Sequence, residues 1–410
     1  MTLDIWPAIP IVIDFVVIQK LPRDMGNIIA ALEQQNRVSK IKIHNIPNSL
    51  LERIAVMKTP FPALTELDIS SRDQVAPLVL HSFLGGSMPQ LRSLRLTGIG
   101  FSALPKLLLS TSALVDLGLW RIPHSGYISP EAMATGLSLL TSLRTLVLEF
   151  RFPRSRDDRA TRHVPPLTRA VLPSLTTMKF EGESEYLEDM LSRIDAPLLD
   201  CIEITSFNQV MFDTPLLGHF ISRTETFTAV HRAEVIFRTL GVQIALVGKN
   251  GMFNNETLTL LILCKPSDWQ LSSIAQVCNS IIPPLPSLGK LSIDEGPVQR
   301  LPWYGDMENT QWLELFQSFT RVKNLVLSRI LVRPVAPALQ ELAGERLTEV
   351  LPMLQYLLIE GPPPSGSVNK SFYKFITARR DSHCPVILRG VGQVADDGFS
   401  VDTDSDTADN

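Results

Sequence analysis

The sequence predicts an α/β solenoid: a coil of short parallel strands backed by helices, rather than a series of separate globular domains. Three observations predict it. One phrase recurs far apart, as "MPQLRSLRLTGI" (Met88–Ile99), "LTSLRTLVLEF" (Leu140–Phe150) and "LPSLGKLSIDEG" (Leu285–Gly296). The phrase returns at intervals of 23–34 residues, with a mean near 29. Helix-like amphipathic stretches fill the space between successive phrases.

The shared template is L-x-x-L-x-L, with aliphatic residues at i, i+3 and i+5. The last two are two residues apart and so face the same side of an extended strand. The matching anchors begin with Val38/Ile41/Ile43, Leu64/Leu67/Ile69, Leu91/Leu94/Leu96 and Leu114/Leu117/Leu119. Leu143/Leu146/Leu148, Leu175/Met178/Phe180, Leu199/Ile202/Ile204 and Val230/Ala233/Val235 follow. Leu258/Leu261/Leu263, Leu288/Leu291/Ile293, Val322/Leu325/Leu327 and Leu354/Leu357/Ile359 complete the series, with the Val230 and Leu258 triplets the weaker fits. This core, at a period near the 20–29 residues of leucine-rich repeats, predicts a leucine-rich-repeat solenoid of about twelve irregular repeats. Its expected form is a horseshoe, with a concave parallel sheet and helices on the convex side. A single strand–helix unit cannot bury both of its apolar faces, so each must be covered by neighbours.

Taken in chain order, "IPIVIDFVVI" (Ile9–Ile18) reads as a buried strand. The stretch "DMGNIIAALEQQNRV" follows as a helix with Met25, Ile28, Ile29 and Leu32 on one face. Residues 1–37 are then an N-terminal cap. "SPEAMATGLSLL" has a helix start, with Ser129 as N-cap, Pro130 at the first helical position and Glu131 in the first turn. "SEYLEDMLSRI" and "NTQWLELFQSF" are further helices, the second turning Trp312, Leu315, Phe316 and Phe319 inward. Residues 365–389 are expected to cap the C-terminal end of a solenoid spanning 1–389. Residues 390–410 hold six aspartates and no Lys or Arg, and are expected to be a disordered acidic tail. Three residues after the last anchor, where many leucine-rich repeats carry Asn or Cys, this chain has Ile46, Ile99, Ile122, Phe207 and Ile330. Cohesion between repeats should therefore come from packing.

Composition narrows function mainly by exclusion. The 410 residues are 45% hydrophobic and 20% charged, with a formal net charge of −4. That balance predicts neither nucleic-acid nor membrane binding. Cys201, Cys264, Cys278 and Cys384 form no CxxC pair, which predicts no disulfide framework or structural zinc and fits a reducing compartment, cytoplasmic or nuclear. The start lacks a basic signal-peptide region, and its apolar run is too short to span a bilayer. No catalytic constellation stands out, so the chain is expected not to be an enzyme and to need no cofactor or metal. "GVQIALVGKNGMF" contains Gly248-Lys249 without phosphate-loop spacing and reads as a strand followed by a turn. The seven histidines form neither HxxxH nor HExxH, and His383-Cys384 is an isolated pair.

A solenoid recognises partners on its concave face. Strand residues alternating with the anchors should line that face, so the candidate partner site is Glu66, Asp68, Arg95, Asp116, Trp120, Glu149, Lys179 and Glu203, with Trp120 as a large aromatic anchor in a polar field. The alternating row Leu260/Ile262/Cys264 is wholly apolar. It is either a hydrophobic seat or a sign that the register there is displaced by one, which exchanges the faces. The loop from Arg151 to Arg169 carries Arg151, Arg154, Arg156, Arg159 and Arg162 against Asp157 and Asp158. It reads either as a docking loop for an acidic or phosphorylated segment or as a solvated insertion. Trp303 and Tyr304 sit in a second loop, as binding anchors or as packing over a neighbouring helix.

"LDIWPAIPIVIDF", "NIIAALEQQNRVSKIKI" and "PFPALTELDI", continued by the proline-led "LPSL", "FPAL" and "MPQL" phrases, give the chain a resemblance to the leucine-rich-repeat region of F-box proteins, especially the large fungal sets. The resemblance covers nearly the whole chain apart from its tail. It implies a substrate-recognition repeat domain of an F-box-like ubiquitin-ligase receptor, binding an as yet unidentified protein substrate as a monomer. No F-box is found here, so a cullin-ligase adaptor is an expected partner only where one lies upstream. The other reading is a leucine-rich-repeat scaffold or adaptor unrelated to ubiquitination.

Overall fold

The computed structural model describes residues 9–17, 22–57, 59–71, 78–79, 86–153, 168–209, 211–248, 256–264, 267–283, 285–296, 308–343, 346–361 and 366–391. The chain forms two compact units, Met1–Val210 with Thr214–Phe227, and Met211–Asp213 with Thr228–Asn410.

The first unit alternates strands and helices. In chain order they are β1 (Ile11–Val16), α1 (Pro22–Leu32), β2 (Val38–Ile46), α2 (Asn48–Ala55), β3 (Glu66–Ser71), β4 (Leu78–Val79), β5 (Ser93–Thr97), β6 (Gly100–Phe101) and α3 (Leu104–Leu108). Next come β7 (Asp116–Ile122), α4 (Pro130–Leu137), β8 (Thr145–Phe150), β9 (Ala170–Val171), β10 (Thr177–Gly182) and α5 (Ser184–Arg193). The unit ends with β11 (Ile194–Asp195), β12 (Cys201–Ser206), α6 (Pro215–Arg223) and the short α7 (Glu225–Thr228), whose last residue belongs to the second unit. The main sheet has the order β1-β2-β3-β5-β7-β8-β10-β12, and the pairings along it are parallel.

Sequence order thus equals sheet order, with each connection returning the chain to the start of the next strand. A parallel pair demands such a crossover. The anchors fall in register: Leu67 lies beside Leu94, Leu94 beside Leu117, Leu117 beside Leu146 and Leu146 beside Met178. All the first-unit triplets from Val38 to Ile204 are buried, none more than 5% exposed. Fully burying one such side chain is worth about 1.5–3 kcal/mol, most of it offset by chain entropy.

A backbone ladder fixes the interval just ahead of the strands. The residue after the first anchor of each repeat donates its N–H to the carbonyl of its counterpart one repeat earlier. The series is Thr65 to Ser39 (2.8 Å), Arg92 to Thr65 (2.8 Å), Val115 to Arg92 (2.8 Å), Arg144 to Val115 (2.8 Å), Thr176 to Arg144 (3.0 Å) and Asp200 to Thr176 (2.9 Å). Of the apolar residues standing where Asn or Cys is usual, Ile46, Ile99, Ile122 and Phe207 are buried. Ile330 is instead 39% exposed, and Leu331 beside it is buried.

Helix termini follow local chemistry. Ser129 Oγ accepts from Ala132 N at 3.2 Å and Pro130 opens α4. At α6 the N-cap Thr214 makes no side-chain cap bond. The buried carboxylate of Glu188, from α5, does so instead, accepting from Leu216 N (2.7 Å) and Leu217 N (2.8 Å). A buried carboxylate is tolerated there because helix-end donors satisfy it.

The second unit comprises β13 (Val230–Arg238), β14 (Gly241–Gly248), β15 (Glu256–Leu263), α8 (Ser267–Ile281), β16 (Lys290–Glu295) and α9 (Asn309–Gln317), then β17 (Asn324–Leu327), α10 (Val332–Glu341), β18 (Tyr356–Glu360), α11 (Gly366–Asp381) and β19 (Ile387–Val391). Its strand order is β15-β14-β13-β16-β17-β18-β19. The parallel coil and its ladder run from β13 onward, with Gly289 N to His231 O (3.0 Å), Lys323 to Gly289 (2.9 Å) and Gln355 to Lys323 (2.8 Å).

Two sequence expectations are corrected and one open alternative is decided. The Leu258 triplet is not a coil of the repeat: β13, β14 and β15 form an antiparallel meander. Along β15 the buried residues are Leu258, Leu260, Ile262 and Cys264, while Leu261 and Leu263 are half-buried. The register is therefore displaced by one, and the Leu260 row belongs to the core. The reversal also explains α8. To reach β16 the chain must pass β14 and β13, three strand spacings or about 14 Å. The 15 residues of α8 span about 22 Å, and Leu271, Ile274, Cys278 and Ile281 bury its inner stripe. Finally, the run read as a buried strand is only partly covered over its described residues, 9–17. β1 stands at one end of the sheet order, and although Ile13 and Val17 are covered, Val12 is 57% and Val16 47% exposed.

One buried cation ties the last helix down. Arg379 in α11 is fully buried, and its guanidinium donates to the carbonyls of Leu347 (2.9 Å), Leu351 (3.0 Å), Pro352 (3.3 Å) and Leu354 (3.3 Å). Leu351 takes a left-handed φ of 49°. Burial lowers the Arg379 pKa, and the carbonyl fork offsets the cost of the buried charge. Replacing Arg379 by Ala removes the donors of these carbonyls, of which Leu351 O retains only its bond from Leu354 N, and should cost more than about 2 kcal/mol in urea unfolding; Leu198→Ala, at an exposed site, should change it by less than about 0.5 kcal/mol. Equal effects would contradict the role given to Arg379.

Candidate functional site

The candidate partner residues lie on the first unit's sheet, on the face away from the buried anchors. Alternation puts them there: Leu67, Leu94, Leu117 and Leu146 are buried, while Glu66, Asp68, Asp116, Trp120, Glu149 and Lys179 are half-buried and Arg95 and Glu203 exposed. Parallel register then sets them in rows across the strands. One row reads Lys42, Asp68, Arg95, Gly118, Val147, Lys179, Glu203. A neighbouring row begins Lys40, Glu66, Ser93, Asp116, Thr145, Thr177.

Two charge clusters occupy this face. Glu66 is held by Lys42 (2.7 Å) and Lys40 (3.3 Å) of the preceding strand. The Lys42 hydrogen bond lowers the Glu66 pKa against a burial penalty, with Lys40 adding to it; reciprocally, Glu66 raises that of Lys42. Beside them Asp68 is shifted upward, because burial outweighs the pull of His44, Arg95 and Lys42. Further along, Lys179 contacts Glu149 (3.1 Å) and, more weakly, Glu203 (4.0 Å). Burial acts against the Lys179 charge, but its bond to Glu149 and the nearby carboxylates prevail and raise its pKa. Glu181, register partner of Glu149, has its pKa raised by burial and then by Glu149.

Between the clusters lies Trp120. A Cβ built on Gly118 would come within 1.9 Å of the Trp120 ring, so the indole lies down over that glycine. The backbone holds it there: Trp120 O accepts from Gly98 N at 2.8 Å, and Arg121 follows with a left-handed φ of 52° where the β7–β8 register shifts. Arg95, register partner of Gly118 on β5, and Asp116, two residues before Gly118 on β7 itself, have no ion-pair partner within 4 Å among the described residues. The face thus offers a seated aromatic ring near one guanidinium and one carboxylate that form no close ion pair among the described residues, with Arg95 acting only at longer range on Asp68.

No protein-family model matches the chain, and no curated protein matches it. Among solved structures it is similar to the leucine-rich repeat-containing protein LegL7 from Legionella pneumophila, at 12% identity over 82% of this chain and 90% of that chain, with a TM-score of 0.29. A superposition that loose transfers no property. The repeat character of this chain rests on its own register, buried triplets and ladder.

Arg151 is half-buried and stacks on the Phe152 ring at 5.0 Å. Arg154, Arg156, Arg159 and Arg162 lie outside the described residues, as do Trp303, Tyr304 and residues 392–410 of the acidic tail; Gly390 and Val391, assigned to that tail from the sequence, instead complete β19 by pairing with β18. Among the described residues no group of three His, Cys, Asp or Glu could hold a metal ion, and no helix is long and apolar enough to cross a membrane.

Sequence reasoning found Trp120 but missed Gly118, which decides the pose of the ring. The signal was present: glycine inside a strand marks a close approach, and Gly118 stands two residues before a tryptophan on the same face. It also missed the Lys40–Glu66–Lys42 clamp, legible only once the strands are set in register.

Two outcomes are expected. Gly118→Val should lift the indole from its seat, giving a red shift in the fluorescence difference between the variant and its Trp120→Phe counterpart; an unchanged difference spectrum refutes the seating. Lys42→Met should raise the Glu66 pKa toward the ordinary carboxylate range in a carbon-detected NMR titration. The sign follows from the depressed folded value: Glu66 contributes stability above the ordinary carboxylate pKa and loses it as pH falls through its own. Exposure keeps that contribution below about 1 kcal/mol.

Proposed function

We propose that the chain is a protein–protein interaction module whose partner docks on the open sheet face of the first unit. Trp120 is the central contact, and Arg95 and Asp116 are the charges that orient the partner. The supporting observation is the indole seated on Gly118 near two charges that form no close ion pair among the described residues. Large aromatic rings held rigidly in a polar surround are the usual energetic centres of protein interfaces, because little rotamer entropy remains to be lost. Flanking charges that are not locked in a close ion pair favour one partner and penalise others. The paired clusters at Glu66 and Lys179 are less useful for affinity, since a partner must first displace an existing ion pair.

The more specific reading is a substrate receptor of an F-box-like ubiquitin ligase, with this face holding the substrate. Its support is the likeness of the repeat phrases to those of F-box proteins; the repeat geometry is equally that of a scaffold without ubiquitin chemistry. Nothing in this reading calls for an acid, base, nucleophile or metal on the chain.

The test starts from crosslinking mass spectrometry in cell extract, which identifies the partner and the face it touches. Trp120→Ala should then weaken capture of that partner by about 10- to 100-fold, with an unchanged circular dichroism spectrum. Unaltered capture, or crosslinks confined to the helix side, would remove this face from the function. Co-purification of a cullin-ligase adaptor with the native protein supports the receptor reading; partner without adaptor supports the scaffold.

A further inference from the structure

On the helix side of the first unit, a cleft of about 360 Å³ is lined by Arg169, Leu191, Ser192, Leu216, His219, Ser222 and Arg223. Three elements build it. Helix α6 contributes Leu216, His219, Ser222 and Arg223, spaced as successive turns of one face. Helix α5 forms the apolar wall with Leu191 and adds buried Ser192. The segment leading into β9 supplies Arg169, next to the β9–β11 pair that carries Asp195.

The charges in this cleft are unbalanced. Arg169 and Arg223 share one carboxylate, Asp195, at long range: 3.8 Å from Arg169 Nη1 and 3.3 Å from Arg223 Nη2. Arg169 Nε also donates to Ser192 O at 3.2 Å, and the Arg223 guanidinium lies 5.7 Å from the centre of the Phe220 ring. Among the described residues the remaining N–H groups of both guanidiniums have no protein partner, and no acidic side chain lines the cleft itself. The two cations also oppose each other: the Arg223 pKa is lowered by burial and by Arg169, against the pull of Asp195. Holding two guanidiniums together on one shared carboxylate leaves a site whose electrostatics a further anion would complete.

We propose that this cleft binds a phosphate monoester, with the phosphate gripped between the Arg169 and Arg223 guanidiniums and contacted by the His219 ring, while the Ser222 hydroxyl stays bonded to His219 O at 2.8 Å. The chemistry selects this class. Guanidinium forks present parallel N–H donors that match the oxygens of phosphate, and two forks meet a dianion better than a single carboxylate. The volume, at the lower end of small-molecule clefts, also admits the group that bears the phosphate. The apolar wall of Leu191 and Leu216 suits the carbon portion of that group. The site is independent of the sheet face assigned to the protein partner, so either can fail alone.

The test is calorimetric titration of the full chain, with N-acetyl-phosphoserine amide as the peptide-borne source, glycerol 3-phosphate as the free metabolite source and N-acetyl-glutamate amide as the carboxylate control. Saturable binding of either phosphate ester, at least ten-fold tighter than the control, is expected, and the preferred ester tells which source fits. Arg223→Gln should weaken that binding at least ten-fold. Because Arg223 also contacts Asp195, His219→Glu provides the second variant: an exposed residue whose replacement places a negative charge in the cleft without removing core packing. It should abolish binding while leaving the thermal midpoint unchanged. No saturable binding of either ester, or binding indifferent to both variants, overturns the proposal. Loss of the Trp120-dependent partner with phosphate binding intact would count against the protein-docking reading alone.

Discussion

The ladder of backbone hydrogen bonds at the residue following each first anchor is the constraint from which the rest of the architecture follows. It links Ser39 to Thr65, Thr65 to Arg92 and so on to Asp200, and in the second unit His231 through Gly289 and Lys323 to Gln355. Because each rung joins equivalent residues, the strand that follows can start in only one register. A slip of one residue would turn every aliphatic anchor to water. The ladder is indifferent to side chains, which is why Thr, Arg, Val and Asp all serve as rungs. Side-chain identity is then free to vary on the open face, where recognition chemistry resides.

That freedom is used unevenly. Around Glu66 and around Lys179 the open face neutralises its own charges, across strands and at short range. Around Gly118 it does not. Omitting a single side chain there lets the tryptophan two residues on lie flat, so that a ring that would otherwise project into solvent becomes a fixed platform. The same logic acts at Gly182, where an added Cβ would strike the rings of Phe150 and Phe180. Those rings pack with Tyr186, which lies 4.7 Å from Phe150 and anchors its hydroxyl to Ile128 O.

Much of this was legible from the residues. Eleven of the twelve triplets are buried as their period required, and Ser129, Pro130 and Trp312 do what their types predict. The failure at Leu258 has a clear cause. β14 is buried along both faces from Gly241 to Leu246, and β15 reads Leu-Thr-Leu-Leu-Ile-Leu. With apolar residues at both parities there is no alternation to select a face, and the two-residue connection Thr239–Leu240 carries no glycine or asparagine to announce a hairpin. The candidate site was visible as a set of residues but not as an arrangement. Which lysine meets which glutamate depends on strand register, and Arg169 and Arg223, 54 positions apart, meet only through the fold.

The antiparallel meander has a consequence for how the second unit assembles. Among the described residues the parallel pairs join positions about two to three dozen residues apart, and Arg232 and Lys290 of β13 and β16 lie 58 apart, whereas β13 and β14 meet across Thr239–Leu240 alone. Hairpins of this kind close within microseconds, long before distant strands find one another. The meander is therefore the pairing of this unit with the shortest loop to close. Once formed, it presents β13 as a ready template on which β16 and its successors can be laid down in turn, so that the one break in the repeat is also the point from which the coil beyond it can grow.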